Sequence, residues 1–151
     1  MSILNNLQNK WPENSVPKLK GFKAYEIEKG KRILEYNDFS LIQNDNILLP
    51  FLGNKKLLDL FPSVVVDMGA INAVCNGAKI TRPGIIQFDD FDLDDIVVIR
   101  DQQHGKNLAI GLALMDSNSA RSSKNGYIIN TIHYVSDKYW KSYKEINPSS
   151  L

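Results

Sequence analysis

SVVVDMGAINAVCNGAKITRPGI, residues Ser63 to Ile85, is the stretch on which the fold turns. Val64-Val65-Val66 is an unbroken β-branched run, the pattern of a strand buried on both faces. Asp67 follows as a helix N-cap, its carboxylate placed to accept the free N–H groups of a first turn. The helix runs to about Cys75 and stops at Asn76-Gly77, because glycine takes the left-handed conformation that a helix end often needs. Ala78 to Thr81 then read as a second strand, and Pro83-Gly84 as a type II turn. The stretch contains no visible catalytic set. It is a compact scaffold edged with Lys79, Thr81 and Arg82, residue types suited to holding something polar rather than transforming it.

Downstream the chain keeps producing short strands. Ile85 to Phe88 is one, followed by an acidic loop, Asp89 to Asp95. Ile96 to Ile99 is a core strand, Gln102 to Lys106 is a hairpin turn, and Leu108 to Met115 returns. Gly111 interrupts that strand as a bulge or a point of close backbone approach. Asp116 to Gly126 reads as a polar loop carrying Arg121 and Lys124, and Tyr127 to His133 as a last strand. Ser136 is placed to cap a final helical turn with Tyr139 and Trp140, and residues from Asn147 on read as a frayed tail. Five or six short strands with turns every 8–12 residues predict a small closed or nearly closed β barrel.

Upstream the character differs. Ile3, Leu4, Leu7 and Trp11 have helical spacing, and Pro12 and Pro17 end that helix. Lys18 to Ile27 reads as a strand ending at the turn Lys29-Gly30-Lys31, and Arg32 to Tyr36, Phe39 to Gln43 and Ile47 to Leu49 as three short antiparallel segments joined by Asn/Asp turns. Asn54 is placed to cap a short helix, Lys55 to Leu60, which Pro62 ends. The predicted fold is thus an α+β unit over residues 1–62, helices on a small antiparallel sheet, and a mostly-β barrel with short helices over 63–146, with 147–151 as a tail.

Composition narrows the partners. The 151 residues carry a formal net charge of +1, so no global positive field advertises nucleic acid, and an anion-binding surface has to come from local clustering. One cysteine, Cys75, and two histidines, His104 and His133, are too few and too scattered for a disulfide framework or a zinc site. No apolar run approaches a membrane span, and the first residues lack signal-peptide features, so a cytoplasmic location is expected.

The second half resembles the PUA domain, the RNA-binding module named for pseudouridine synthases and archaeosine transglycosylases. The resemblance covers residues 64–141. It is carried by Asp67-x-Gly69-Ala70, Asn76-Gly77-Ala78 and Arg82-Pro83-Gly84-Ile85, and continues through Asp95-x-Val97, Ala109-x-Gly111 and His133-x3-Asp137-x2-Trp140. Many PUA domains have Gly-Asp where this chain has Asp94-Asp95. With a small α+β domain ahead of it and a Pro62-Ser63 junction, the whole is similar to stand-alone archaeal PUA proteins and to the MCT/Tma translation factor family. That likeness implies an RNA-binding fold with a pseudobarrel and a role in translation initiation or recycling. It implies structured RNA, tRNA or ribosomal, as ligand, with the small ribosomal subunit and a density-regulated-protein-like factor as partners.

The resemblance also implies that RNA backbone lies along the edge formed by Lys79, Thr81 and Arg82, with bare backbone at Gly77 allowing a nucleotide to pack closely. Lys and Arg neutralise phosphate, and glycine turns expose N–H groups, so the chemistry agrees. Arg121 and Lys124 extend this strip if their loop reaches the same edge. A solvated strand face is the plainer alternative for Lys79, Thr81 and Arg82, and Gly77 reads first of all as a backbone residue whose conformation is costly for other residues. Asp67 reads as a cap rather than an acid catalyst. Asp89, Asp90, Asp92, Asp94 and Asp95 lack the pattern of a calcium hand. Cys75 reads as a small buried residue without a partner base. Trp140 with Tyr139 has rings that could stack bases, and a ring closing the barrel is the favoured reading. No Walker loop, dinucleotide fingerprint, metal set or catalytic triad spacing appears. A non-catalytic RNA-binding protein without metal or cofactor is therefore expected. An accessory subunit of a tRNA-modifying enzyme such as archaeosine transglycosylase and a protein-interaction adaptor are the alternatives.

Overall fold

The structure is a computed structural model and describes Trp11, residues 21–36 and residues 39–149. Apart from Trp11, the helix expected over residues 2–11 lies outside the described residues, as do Lys18, Lys20 and the Asn37-Asp38 turn. The chain divides into two compact units. One comprises the residues up to Leu60 together with those from Ser136 onward, and the other is Phe61–Val135.

In the first unit β1 (Lys23–Glu28), β2 (Lys31–Tyr36), β3 (Phe39–Asn44) and β4 (Ile47–Pro50) make an antiparallel sheet in chain order. Ile33, Ile42 and Leu49 are cross-strand neighbours, as are Leu34 and Leu41, and all five are buried. Because successive strand residues face opposite ways, this means that both faces of the sheet are covered at its centre. The Trp11 indole N–H donates to the Leu48 carbonyl at 3.2 Å. The short helix α1 (Lys55–Leu58) buries Leu57 and Leu58. Asn54 stands ahead of it but does not cap it, because its amide donates instead to the Ser40 carbonyl.

The second unit begins with β5 (Ser63–Val66), a 3-10 turn (Met68–Ala70) and the short helix α2 (Ile71–Val74). Asp67 caps as predicted, accepting from the Ala70 N–H at 3.0 Å. Then come β6 (Ile80–Thr81), a 3-10 turn (Arg82–Gly84), β7 (Ile85–Phe88), β8 (Ile96–Asp101), β9 (Asn107–Ala113), α3 (Ser117–Ser122) and β10 (Tyr127–Tyr134). The strands form one sheet in the order β6-β10-β9-β8-β5-β7. Its two edge strands, β6 and β7, are joined by only Arg82–Gly84, so the sheet has to curl until its edges nearly meet. The inside of the curl is filled by Val64, Val66, Ile85, Val97, Ile99, Ile128 and Ile129, with Val74 from α2 and Ala120 from α3. β5 sits between β7 and β8, antiparallel to the first and parallel to the second.

Three local expectations change. Pro83-Gly84 is not a type II turn, since Gly84 is absent from the positive-φ glycines that such a turn requires. Proline instead sits in the first turn of a 3-10 segment, where its fixed φ fits. The strand expected over Ala78 to Thr81 pairs only at Ile80 and Thr81. The loop Asp116 to Gly126 contains α3, because Asp116 accepts from the Ser119 N–H at 2.8 Å and so starts a helix in a serine-rich segment. Gly111 is a point of close approach. A Cβ there would strike the Asn130 carbonyl, next to the β10 bulge between Thr131 and His133.

The hairpin between β8 and β9 is fixed by Asp101, which is buried. Burial pushes its carboxyl up, but the backbone N–H groups of His104, Lys106 and Gly105 outweigh that and leave it below its ordinary value.

The last helix, α4 (Lys138–Ile146), belongs to the first unit. Asp137 rather than Ser136 caps it, accepting from the Trp140 N–H at 2.9 Å. Tyr139 is buried, and its hydroxyl donates to the Gln43 carbonyl at 3.2 Å. Trp140 and Tyr143 stack on Phe51, with centroids 5.8 and 4.1 Å away. Lys138 pairs with Glu28, and the Asn147 amide donates to Glu35 at 2.8 Å. Trp140 therefore does not close the barrel. A large ring goes to the partner that buries it, and Phe51 offers that partner.

Two expectations follow from this architecture. A chain ending at Val135 will keep amide-exchange protection in Phe61–Val135 and lose it in β1–β4. Undiminished protection of β1–β4 would show that α4 is dispensable. Asp101→Asn will cost about 1 kcal/mol at neutral pH. Because the native carboxyl titrates below its unfolded value, the stabilisation is present above the ordinary carboxylate range and is lost as pH falls through the native value. The gap between variant and parent in denaturant melts will therefore shrink in acid.

Candidate nucleic-acid interface

The 3-10 turn, α2 and edge strand β6 leave a groove of about 450 Å³ on the second unit. Its floor is apolar and made of small residues, with Ala70, Ala73 and Ala78 beside Val74 and Ile80. Its rim carries Lys79, Thr81 and Tyr127. On α2, Ala73 lines the groove, while Val74 is buried in the core and Ile71 packs against it. The groove stays open because β6 pairs for only two residues and α2 is a single turn.

Lys79 is exposed, and its ammonium lies over the ring of Tyr127 at 5.4 Å from the centroid. Thr81 is exposed and faces Tyr127 in the β6–β10 register. Tyr127 is 57% exposed, a large ring left in water beside an apolar slot. A ring of this kind, with a cation at its face, can stack a planar group. Tyr127 is the site residue that sequence reasoning missed. It reads as the first residue of a strand, and nothing local says that this strand pairs with β6, far back in the chain.

Arg82 is half-buried and occupied. Its Nη1 donates to the Ile85 carbonyl at 3.0 Å, and its guanidinium lies 5.0 Å from the Phe88 centroid. Arg121 reaches the same ring from α3, at 5.7 Å. It donates to the Phe88 carbonyl at 3.2 Å and to Asn118 at 3.1 Å, and pairs with Asp90 at 3.0 Å. Two arginines thus supply donors to two carbonyls of edge strand β7, a use of charge that blunts an open edge. Arg82 and Arg121 thus meet at Phe88 and β7. Lys124 is exposed in the turn that leads into Tyr127.

Gly77 ends α2 with φ +83°. A Cβ there would come within 2.7 Å of the Tyr134 ring. The bare backbone therefore receives a side chain of the protein itself, which is a structural reason for glycine at this position. Cys75 is half-buried, and burial pushes its thiol up, away from nucleophile chemistry. His133 is buried, and His104 is exposed in the hairpin turn. Asp90, Asp92, Asp95 and Asp116 line a separate, acidic groove of about 530 Å³. Among the described residues no group of three or more His, Cys, Asp or Glu is placed to hold a metal ion. Nor is any described helix long and apolar enough to cross a membrane.

Comparison with known proteins puts this geometry in context. The PUA domain family matches residues 62–135, the span of the second unit. Over 145 residues the chain is 30% identical to a malignant T-cell-amplified sequence 1 homologue of Dictyostelium discoideum, a match covering 83% of this chain and 80% of that protein. It is 33% identical over 95 residues to translation machinery-associated protein 20 of Schizosaccharomyces pombe, covering 60% of this chain and 52% of that one. The chain spans between 52% and 60% of the length of the fission-yeast and Methanocaldococcus jannaschii relatives it matches. Among solved structures, a hypothetical protein of Pyrococcus horikoshii OT3 superposes with a TM-score of 0.77 at 28% identity, covering 93% of this chain and 92% of that chain. The chain belongs to the PUA-domain family, with the malignant T-cell-amplified sequence 1 homologues among its relatives.

Proposed function

We propose that this chain is a non-catalytic RNA-binding protein of the translation machinery, and that its groove beside Lys79, Thr81 and Tyr127 holds an RNA segment. The PUA domain supports RNA binding, and the name of the fission-yeast relative supports a connection with translation. The observation that carries the site is Tyr127: an exposed ring with a lysine on its face, bordering an apolar slot. Lys79 and Lys124 supply charge for phosphates, Thr81 a hydroxyl, and Tyr127 a stacking face for an unpaired base. Arg82 and Arg121 contribute through the N–H groups that their carbonyl and carboxylate partners leave free. Gly77 supports the site through the backbone turn at the end of α2, where the Tyr134 ring packs against it. Structured RNA, tRNA or ribosomal, is the ligand class of this reading. The small ribosomal subunit and a density-regulated-protein-like factor are its partners, and the cytoplasm is its place.

Lys79→Glu and Tyr127→Ala separate charge from stacking. In fluorescence titrations across salt, Lys79→Glu will weaken binding to structured RNA and reduce the slope of log K against log salt by roughly 0.7–0.9 for the lost phosphate contact. Tyr127→Ala will cost about 1–3 kcal/mol and leave the slope unchanged. Unchanged affinity in both would remove the groove from the RNA surface. Gly77→Ala will lower stability by about 1–2 kcal/mol, because an L side chain must hold a left-handed backbone and displace Tyr134. A thermal melt reads this.

A further inference from the structure

Asparagine is a thermolabile residue, above all before glycine, where no side chain hinders the following backbone nitrogen. The chain has two such pairs, Asn76-Gly77 and Asn125-Gly126, and the fold treats them oppositely. At the end of α2 the Asn76 amide donates to the Asn72 carbonyl at 2.9 Å, and the Gly77 N–H donates to the Val74 carbonyl at 3.0 Å. The Tyr134 ring packs on Gly77 so closely that a Cβ there would lie 2.7 Å from it. Asn125 and Gly126 stand between α3 and β10, and both are exposed. Among the described residues no hydrogen bond holds the Asn125 amide or the Gly126 N–H. Space around Gly126 is open, since a Cβ there would meet no atom within 4 Å.

The same turn leads directly into the groove's rim. The Gly126 carbonyl accepts from the Arg82 N–H at 2.9 Å, and Tyr127 follows opposite Thr81. Asn125 is two residues from Tyr127, so their Cα atoms are no more than about 7 Å apart. Exposed Lys124 precedes it directly. A charge that appears at residue 125 therefore lies within the physiological screening length, ~8 Å, of both.

We propose that Asn125 is a site of self-catalysed deamidation, and that its conversion weakens the groove's hold on RNA as the protein ages. The Gly126 nitrogen attacks the side-chain amide carbon of Asn125. The new C–N bond closes a cyclic succinimide, and the side-chain nitrogen leaves as ammonia with the proton that Gly126 gives up. Water then opens the ring at either carbonyl. One opening leaves aspartate, and the other leaves isoaspartate, whose side-chain carbonyl stays linked to Gly126. No oxidant or cofactor is consumed. Both products put a carboxylate where an amide stood, next to the Lys124 ammonium. Isoaspartate also adds a methylene to the backbone just ahead of the Gly126 carbonyl that the Arg82 N–H holds. The effect on RNA rests on the RNA-binding reading above, whereas the modification itself does not.

The test incubates the full chain in mildly alkaline buffer and follows it by intact mass, ammonia release and chymotryptic peptide mapping. Conversion of amide to acid is expected at Asn125, with Asn76 unchanged. Asn125→Gln, which keeps an amide but closes a ring far more slowly, is expected to stop it. Conversion at Asn76 ahead of Asn125 overturns the site. So does a folded chain that stays unmodified while a free peptide of residues 120–130 converts. For the consequence, fresh parent, aged parent and Asn125→Asp are titrated with a stem-loop RNA that has a single-stranded 3′ end, with thermal melts to report folding and Lys79→Glu run alongside. Aged parent and Asn125→Asp are expected to bind about fivefold more weakly at low salt, with the gap closing as salt rises. If Asn125→Asp binds as fresh parent does while Lys79→Glu is weakened, the effect on RNA is overturned and the groove stands. A parent that ignores RNA removes the RNA-binding reading and the effect together, and the mass gain at Asn125 still decides the site.

Discussion

The second unit depends on how its sheet is closed. β6 and β7 are its two edges, yet three residues join them, so neither can lie flat without pulling the other from its partner. Closure places Arg82-Pro83-Gly84 at the seam, where the 3-10 turn shortens the path and proline pre-sets its backbone. The seam also explains the arginines. An edge strand leaves carbonyls without donors, and the guanidiniums of Arg82 and Arg121 meet those of Ile85 and Phe88 while flanking one phenyl ring. Charge that a linear reading assigns to a ligand is here partly committed to finishing the barrel. The groove is the other product of closure, since the helix and the edge strand that wall it are both too short to fill the gap.

What the sequence made legible was local. Val64-Val65-Val66, the Asp67 cap, the stop at Gly77 and the hairpin at Gln102–Lys106 are each decided within a few residues by β-branching, carboxylate capping or glycine backbone freedom. The PUA resemblance extended this to topology. What stayed hidden was decided by distant partners. Tyr127 is a groove residue only because β10 pairs with β6. Trp140 finds Phe51, on the far side of the barrel in sequence, and not the barrel itself. The helix α3 was masked by serines that read as loop until Asp116 is seen to cap them. Pro83-Gly84 misled for a subtler reason: the dipeptide favours a type II turn, but seam closure needed a helical one.

The candidate site divides its labour along the same lines. Lys79, Thr81 and Tyr127 are displayed, with side chains that the fold does not require. Gly77 and Arg82 are needed for shape whether or not RNA is present. This distinction follows from contacts rather than residue type. Two arginines and a lysine of equal charge differ in whether backbone carbonyls already claim them.

The first unit is written in two pieces, with the whole barrel between them. During synthesis β1–β4 leave the ribosome before the barrel, and the ring that stacks on Phe51 and the hydroxyl that donates to Gln43 follow after it. At roughly 5–20 residues per second the intervening barrel takes several seconds to appear. For that interval the sheet is exposed on the face α4 will cover, while the barrel, contiguous in sequence, can fold as it emerges. The barrel can thus be finished before the unit whose first strands precede it in translation. A cell making this protein has to keep an unfinished sheet soluble until α4 arrives to cover it.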